Sequence, residues 1–256
     1  LNITRGGSLQ QTAWAFGDGL EDLLIERLSG NPFPGILSTM PNWNAKYDGL
    51  LQIIPSLSKW FKTVSFNHAY TCTYNVGNYQ TFPDKDGIEI ASATITQSFA
   101  PLIGMNATLN NNITAKAEYR TTNSGTYNTS TTTITRNSSR DLTIGVGYKI
   151  VDFNTRIGLF SSKKKKKTEV SHDLNMKLDV THKYQEVGLH RLANNYTETT
   201  SGNSSWSIKF SADYQLSKLI TMRLYYDKQI NKPLVSSSYA TYISDFGMTM
   251  SLSLAR

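Results

Sequence analysis

A single cysteine, Cys72, is all that the 256 residues contain, which excludes a disulfide framework and a cysteine-based metal site. No stretch approaches the roughly 18 consecutive apolar residues of a transmembrane helix, so a helix-bundle membrane protein is excluded as well. Charge is sparse at 18%, and much of the formal excess of +7 comes from one run, Lys163 to Lys167. Without that run the chain is nearly balanced, and no basic groove with interleaved aromatics is visible, so nucleic acid is not an expected partner. The chain opens on Leu1, with neither an initiator Met nor a secretory-type segment, and a processed or partial chain is expected. There is no Gly-x-Ser-x-Gly nucleophile elbow. The four histidines, His68, His172, His182 and His190, have no carboxylate or second histidine at ligand spacing. No catalytic residue, metal site or cofactor is therefore expected.

What the chain does have is alternation. Leu174, Met176, Leu178, Val180 and His182 take one parity, and Asp173, Asn175, Lys177, Asp179, Thr181 and Lys183 the other. Successive side chains of a strand point to opposite faces, so this segment has one apolar and one polar face. Trp206, Ile208, Phe210, Ala212 and Tyr214 alternate in the same way with Ser207, Lys209, Ser211 and Asp213. Ile220, Met222, Leu224 and Tyr226 alternate with Thr221, Arg223, Tyr225 and Asp227, and Met248, Met250, Leu252 and Leu254 with Thr249, Ser251 and Ser253. Leu142–Ile150 and Val64–Val76 repeat the pattern. Each stretch is about 9–13 residues, close to the 9–11 that cross a bilayer at a tilt and longer than ordinary soluble strands.

The expected fold is all-β: an antiparallel transmembrane β-barrel, or an arc of a very large one, with one or two short helices. Asp173, Asn175, Lys177, Asp179, Lys209, Asp213, Arg223 and Asp227 are expected to face a wet lumen. Leu174, Met176, Leu178, Val180, Trp206, Ile208, Phe210, Met248, Met250 and Leu252 are expected to face lipid or a partner. Trp206, Tyr214, Tyr226, Tyr148 and Phe246 are placed near strand ends, as interfacial girdles require. Gly145-Val146-Gly147 on a strand gives lumen space or a bend rather than a phosphate loop, because no helix follows it.

Residues 41–256 read as the barrel part, with ten or eleven strands from Trp43 onward. Turns are expected at Asn110–Asn112, Asn137–Arg140 and Leu216–Leu219, and longer loops, the first containing His190, over Val187–Ser204 and Asn231–Ile243. Residues 1–40 read as an irregular segment carrying a short amphipathic helix at Asp18–Leu28. Leu50–Lys62, with Leu51, Ile54, Leu57, Trp60 and Phe61 around Pro55, reads as a short helix at the membrane interface or packed on the barrel rim. Lys163–Lys167 reads as a contact for anionic headgroups or an acidic partner, or as a solvated loop.

Particular strings then carry a resemblance. Leu219–Tyr239, LITMRLYYDKQINKPLVSSSY, and Phe246–Leu254 resemble the closing hairpin and final strand of the SprA/Sov family. Pro41–Leu50 (PNWNAKYDGL), Val64–Tyr70 (VSFNHAY) and Gln97–Ala107 (QSFAPLIGMNA) resemble further segments of that family's C-terminal region, so the likeness covers about Leu37 to Arg256. The resemblance implies part of the outer-membrane translocon of the type IX secretion system of Bacteroidota, exporting folded proteins and, in gliding species, motility adhesins. It also implies the partners: outer-membrane lipid, the rest of a much longer translocon chain, a fatty-acid-transporter-like barrel at a lateral opening, a periplasmic plug protein and secreted cargo. Two other readings fit the alternation. One is a secreted β-sandwich adhesin or carbohydrate-binding module, and the other is an outer-membrane barrel hydrolase.

Overall fold

Alternating, β-branched-rich segments separated by short Asn- and Thr-rich turns favour neighbouring strands that pair in chain order. The structure, a computed structural model, describes residues 42–77, 79–82, 87–151, 153, 173–216, 219–235 and 239–253. Its strands are β1 (Trp43–Tyr47), β2 (Phe61–Val76), β3 (Tyr79–Phe82), β4 (Gly87–Ile90), β5 (Ser92–Leu109), β6 (Ile113–Asn128), β7 (Thr133–Ile150), β8 (Leu174–Arg191), β9 (Tyr196–Gln215), β10 (Ile220–Pro233) and β11 (Thr241–Leu252). Nine of them form one antiparallel sheet in the order β1-β2-β5-β6-β7-β8-β9-β10-β11, while β3 and β4 pair as a separate hairpin. Every step across the large sheet is antiparallel. The chain is thus all-β and antiparallel, as its alternation predicts. The Asp18–Leu28 helix, His172 and the Lys163–Lys167 run lie outside the described residues.

The strands are longer than the amphipathic stretches that announce them. β5, β7 and β8 each run 18 residues and β9 runs 20. Three expectations are corrected as a result. Asn137–Arg140 is no turn: it sits in mid-β7, opposite Val187–Tyr184 of β8, and the turn before β7 falls at Thr129–Thr132. The loop expected over Val187–Ser204 shrinks to a turn at Leu192–Asn195, with His190 inside β8. The loop over Asn231–Ile243 shrinks from both ends, since β10 continues to Pro233 and β11 begins at Thr241. In these extensions both faces carry Ser, Thr, Asn and charged residues. The two-residue hydrophobic period therefore vanishes although the ladder of backbone hydrogen bonds goes on.

The turn at Asn110–Asn112 stands as expected, and Ser217 and Lys218 of the turn expected at Leu216–Leu219 lie outside the described residues. Asn112, Thr132 and Asn195 take positive φ (64°, 50° and 49°), a region Asn tolerates through its short side chain and Thr does not favour. Leu50–Lys62 is only in part a helix. Helix α1 spans Leu50–Ile53, a 3-10 turn follows at Pro55–Lys59, and Phe61 already belongs to β2. The break is at Ile54 (φ −121°, ψ 81°), where the ring of Pro55 disfavours helical backbone in the residue before it. This segment lies at the Asn110–Asn112 edge: Trp60 accepts from the Asn110 N–H (3.0 Å), and Lys62 Nζ donates to Asn112 Oδ1 (2.9 Å). That edge is called the lower one below; Thr129–Thr132 and Leu192–Asn195 lie at the upper one.

Candidate functional site

Residues directly opposite one another in a ladder share a face. The register therefore sorts the side chains of the whole sheet. Leu178 stands between Val146 and Phe210, and that row continues through Tyr226 to Phe246. Val180 stands between Ile144 and Ile208, Met176 between Tyr148 and Ala212, and Leu174 between Ile150 and Tyr214. Leu224 faces Met248, Met222 faces Met250, and Ile220 faces Leu252. Trp206 stands between His182 and Ile230. All ten residues expected to meet lipid or a partner thus lie on one face.

The eight expected on the opposite face also lie together. Asn175 stands between Lys149 and Asp213, Asp179 between Gly145 and Lys209, and Lys177 between Gly147 and Ser211. Asp227 faces Lys209, and Arg223 faces Asp213 with Nε 2.8 Å from Oδ1. Asp173, just before β8, pairs with Lys149 Nζ at 2.7 Å.

The apolar face forms a belt with sharp borders. On β7, β8 and β9 it covers Leu142–Ile150, Leu174–His182 and Trp206–Tyr214, and on β10 and β11 it covers Ile220–Ile230 and Tyr242–Leu252, interrupted there by Lys228 and Ser244. These are about nine to eleven residues each, the length that spans a bilayer core at a tilt. Among the described residues no second layer covers the belt: Ile103, Ile144, Val146, Leu178, Phe246, Met248, Met250 and Leu252 are all exposed, and Phe246 keeps 73% of its surface open. The upper border is aromatic. Trp43 stacks on Tyr70 (centroids 4.3 Å apart), Tyr70 meets Phe99 (4.7 Å), and His182 lies against Trp206 (4.4 Å). Of the residues expected in girdles, Trp206 stands at the upper border and Tyr214 at the lower one, with Tyr148 one row further in. Tyr226 and Phe246 stand at neither: they lie in the row of Leu178, halfway up the belt. Their position relative to a strand end misled because the strands extend unequally beyond the belt.

Above the border the same face changes character. Arg140 stands opposite Thr121 and Tyr184, Ser138 opposite Asn123 and Glu186, and Lys232 opposite Ser204. Towards β2 a small core replaces the exposed belt: Tyr70, Cys72 and Ile95 are buried against Tyr74, Phe99 and Tyr127, and Ile134 is fully buried. His190 is buried there too, bonded through Nδ1 to Thr197 Oγ1 (2.7 Å). His68 donates from Nδ1 to the Leu102 carbonyl (2.6 Å), and His182 pairs with Ser204 Oγ (3.1 Å).

The polar face is a wall of alternating charge. Its most enclosed group is Glu118, which sequence reasoning missed, although Lys-x-Glu-x-Arg at one parity of β6 carries the signal. Glu118 Oε2 accepts from Lys116 Nζ (2.8 Å) and Oε1 from Arg120 Nε (2.5 Å). The carboxylate keeps 7% of its surface while its partners keep about half of theirs, so water screens the cations more than the anion. Replacing Glu118 with Ala leaves two cations side by side and is expected to cost about 1–3 kcal/mol, read from urea unfolding. Glu118→Gln, which keeps the shape, should recover part of that loss.

Glycines open two shallow hollows in this wall. One, of about 300 Å³, lies over Gly145 and Gly147 and reaches Lys116, Lys177 and Asp179. The other, of about 230 Å³, lies over Gly104 beside Asn67, Glu118 and Arg120. A Cβ at Gly145 would collide with Asp179 Oδ1, and one at Gly147 would sit 2.5 Å from Thr114 Oγ1. The glycine pair therefore leaves room for neighbouring polar side chains to lie flat against the backbone. No group of three or more His, Cys, Asp or Glu suited to a metal occurs among the described residues.

No protein-family model and no curated protein sequence matches this chain. The functional reading therefore rests on the two faces and on the sequence resemblance.

Proposed function

We propose that residues 42–253 are part of the wall of an outer-membrane β-barrel, whose pore exports folded proteins by the type IX secretion route. The observation that carries the reading is the exposed apolar belt, of bilayer height, directly behind a wall of paired charges. In water such a belt leaves a continuous apolar surface uncovered, far beyond the scattered exposed side chains of soluble monomers. In a bilayer it is solvated by hydrocarbon, and the charged face bounds an aqueous path. A two-sheet sandwich would bury Met248, Met250 and Leu252 between its layers, and these are among the most open side chains of the sheet.

Strand parity supports a wall larger than this chain. Eight antiparallel steps join the nine strands, so the first and last run the same way, and β1 and β11 are parallel to each other. An all-antiparallel barrel has an even number of strands, so closing this wall takes an odd number of further ones. The function follows from this construction. Backbone hydrogen bonds make the wall rigid, and the small or internally paired side chains of its polar face give passing cargo little to adhere to. The secretion route itself rests on the resemblance of Leu37–Arg256 to the SprA/Sov family.

Photolabelling from within the lipid phase tests the membrane part. Label is expected on the Leu178, Met248 and Met250 face and not on the Asp179 and Lys209 face; the reverse pattern would sink the proposal. Loss of export on deleting the gene, with the outer membrane otherwise intact, tests the secretion part.

A further inference from the structure

The belt's upper border carries cations on the outward face, where the proposed function needs none. Arg140, Tyr184, Ser204 and Lys232 form one row across β7 to β10, immediately above the row of Leu142, His182, Trp206 and Ile230. Three strand spacings separate Arg140 from Lys232, about 14 Å. The Arg140 guanidinium lies 6.0 Å from the centre of the Tyr184 ring, a contact that holds the planar fork in place. Arg136 follows on the same face, opposite Gly188 and Gly125. Lys228 breaks the belt, opposite Ile208 and Ser244, four residues below Lys232 on the same face. Its apolar stem can lie along the belt while the ammonium reaches up to the border. Among the described residues the one carboxylate nearby on this face, Glu186, is already engaged: Tyr184 OH donates to Oε2 (3.2 Å) and Thr199 Oγ1 to Oε1 (2.8 Å).

We infer that this row is a binding site for the phosphate groups of a phosphorylated glycolipid, lipopolysaccharide, in the outer leaflet. The inference rests on the membrane reading above and adds a ligand to it. The charge is complementary, and the height matches, since phosphates of an outer-leaflet lipid lie directly above the hydrocarbon. The upper edge is the external one. The β6–β7 and β8–β9 hairpins project well beyond the belt there, whereas the β5–β6 hairpin turns back at Asn110–Asn112 just below it. Arg140 supplies a two-pronged donor for phosphate oxygens, and Lys228 and Lys232 add point charges.

The test uses the native assembly that contains this chain, reconstituted in lipid vesicles, with bisphosphorylated lipid A as the probe and its dephosphorylated form as the control. Wild-type protein is expected to bind the bisphosphorylated form in preference. The Arg140→Gln/Lys232→Gln variant should bind it at least about tenfold more weakly, given the strength of charge-assisted hydrogen bonds. Arg140→Lys/Lys232→Arg should retain most binding, and Lys177→Gln on the opposite face should change nothing. Equal binding of both lipid forms, undiminished binding by the double Gln variant, or an equal loss in Lys177→Gln would each overturn the site. Co-flotation of every variant with vesicles separates the two levels. Flotation without phosphate preference defeats this site alone, and failure of the wild type to float defeats the membrane reading beneath it.

Discussion

Replacing Leu178 with Arg is expected to destabilise the membrane-inserted protein by about 2–4 kcal/mol, the cost of a cation on the lipid side of a barrel near the bilayer midplane. That is a loss of roughly 30- to 700-fold in the folded-to-unfolded ratio. The site is chosen because Leu178 lies midway between the belt's borders, flanked by Val146 and Phe210, and is 42% exposed. If water covered this face, an exposed Leu→Arg change would move stability by no more than about 0.5 kcal/mol. The two solvents thus predict effects of different size. Ser207→Arg, on the opposite face between Thr181 and Gln229, should be nearly neutral because the charge enters water. Urea titration of the native assembly in vesicles reads both variants. Equal, small effects at the two positions would end the lipid interpretation.

The second large expectation concerns closure. β11 pairs with β10 along all 12 of its residues, and among the described residues nothing pairs with its other edge. In hydrocarbon each unpaired backbone group costs several kcal/mol, so that edge cannot stay open in a bilayer. β1 cannot seal it in the antiparallel manner because it runs parallel to β11. A second copy in the same membrane orientation presents either its β1, again parallel, or its β11 with lipid and lumen faces exchanged. The 256-residue chain on its own is therefore expected not to yield a compact, heat-modifiable monomer band on electrophoresis. The native assembly should contain further strands and a larger mass. A stable monomeric barrel of 28.6 kDa would refute the larger wall.

The alternation of apolar and polar residues was enough to sort the residues singled out from sequence onto two opposite faces of the sheet, because the two-residue period of a strand is local and survives any tertiary arrangement. Leu174 to Val180 and Asp173 to Asp179 fall on opposite faces for that reason. The same signal failed at Asn137–Arg140 and Val187–Ser204, where both faces are polar. There the strands are held by neighbours that pair with them, and pairing partners are not visible in the paired segment itself. Glu118 went unnoticed since its importance comes from enclosure between Lys116 and Arg120, which composition does not encode.

Local pattern in the chain was enough for the all-β class, for which residues share a face and for the turn at Asn110–Asn112, all of which depend on residues within a few positions of one another. Only the tertiary structure decided how far each strand continues, where the belt begins and ends, and that β1 and β11 run parallel at opposite edges. Those properties belong to register and strand count, which arise between segments distant in the chain and exist only once the ladder has formed.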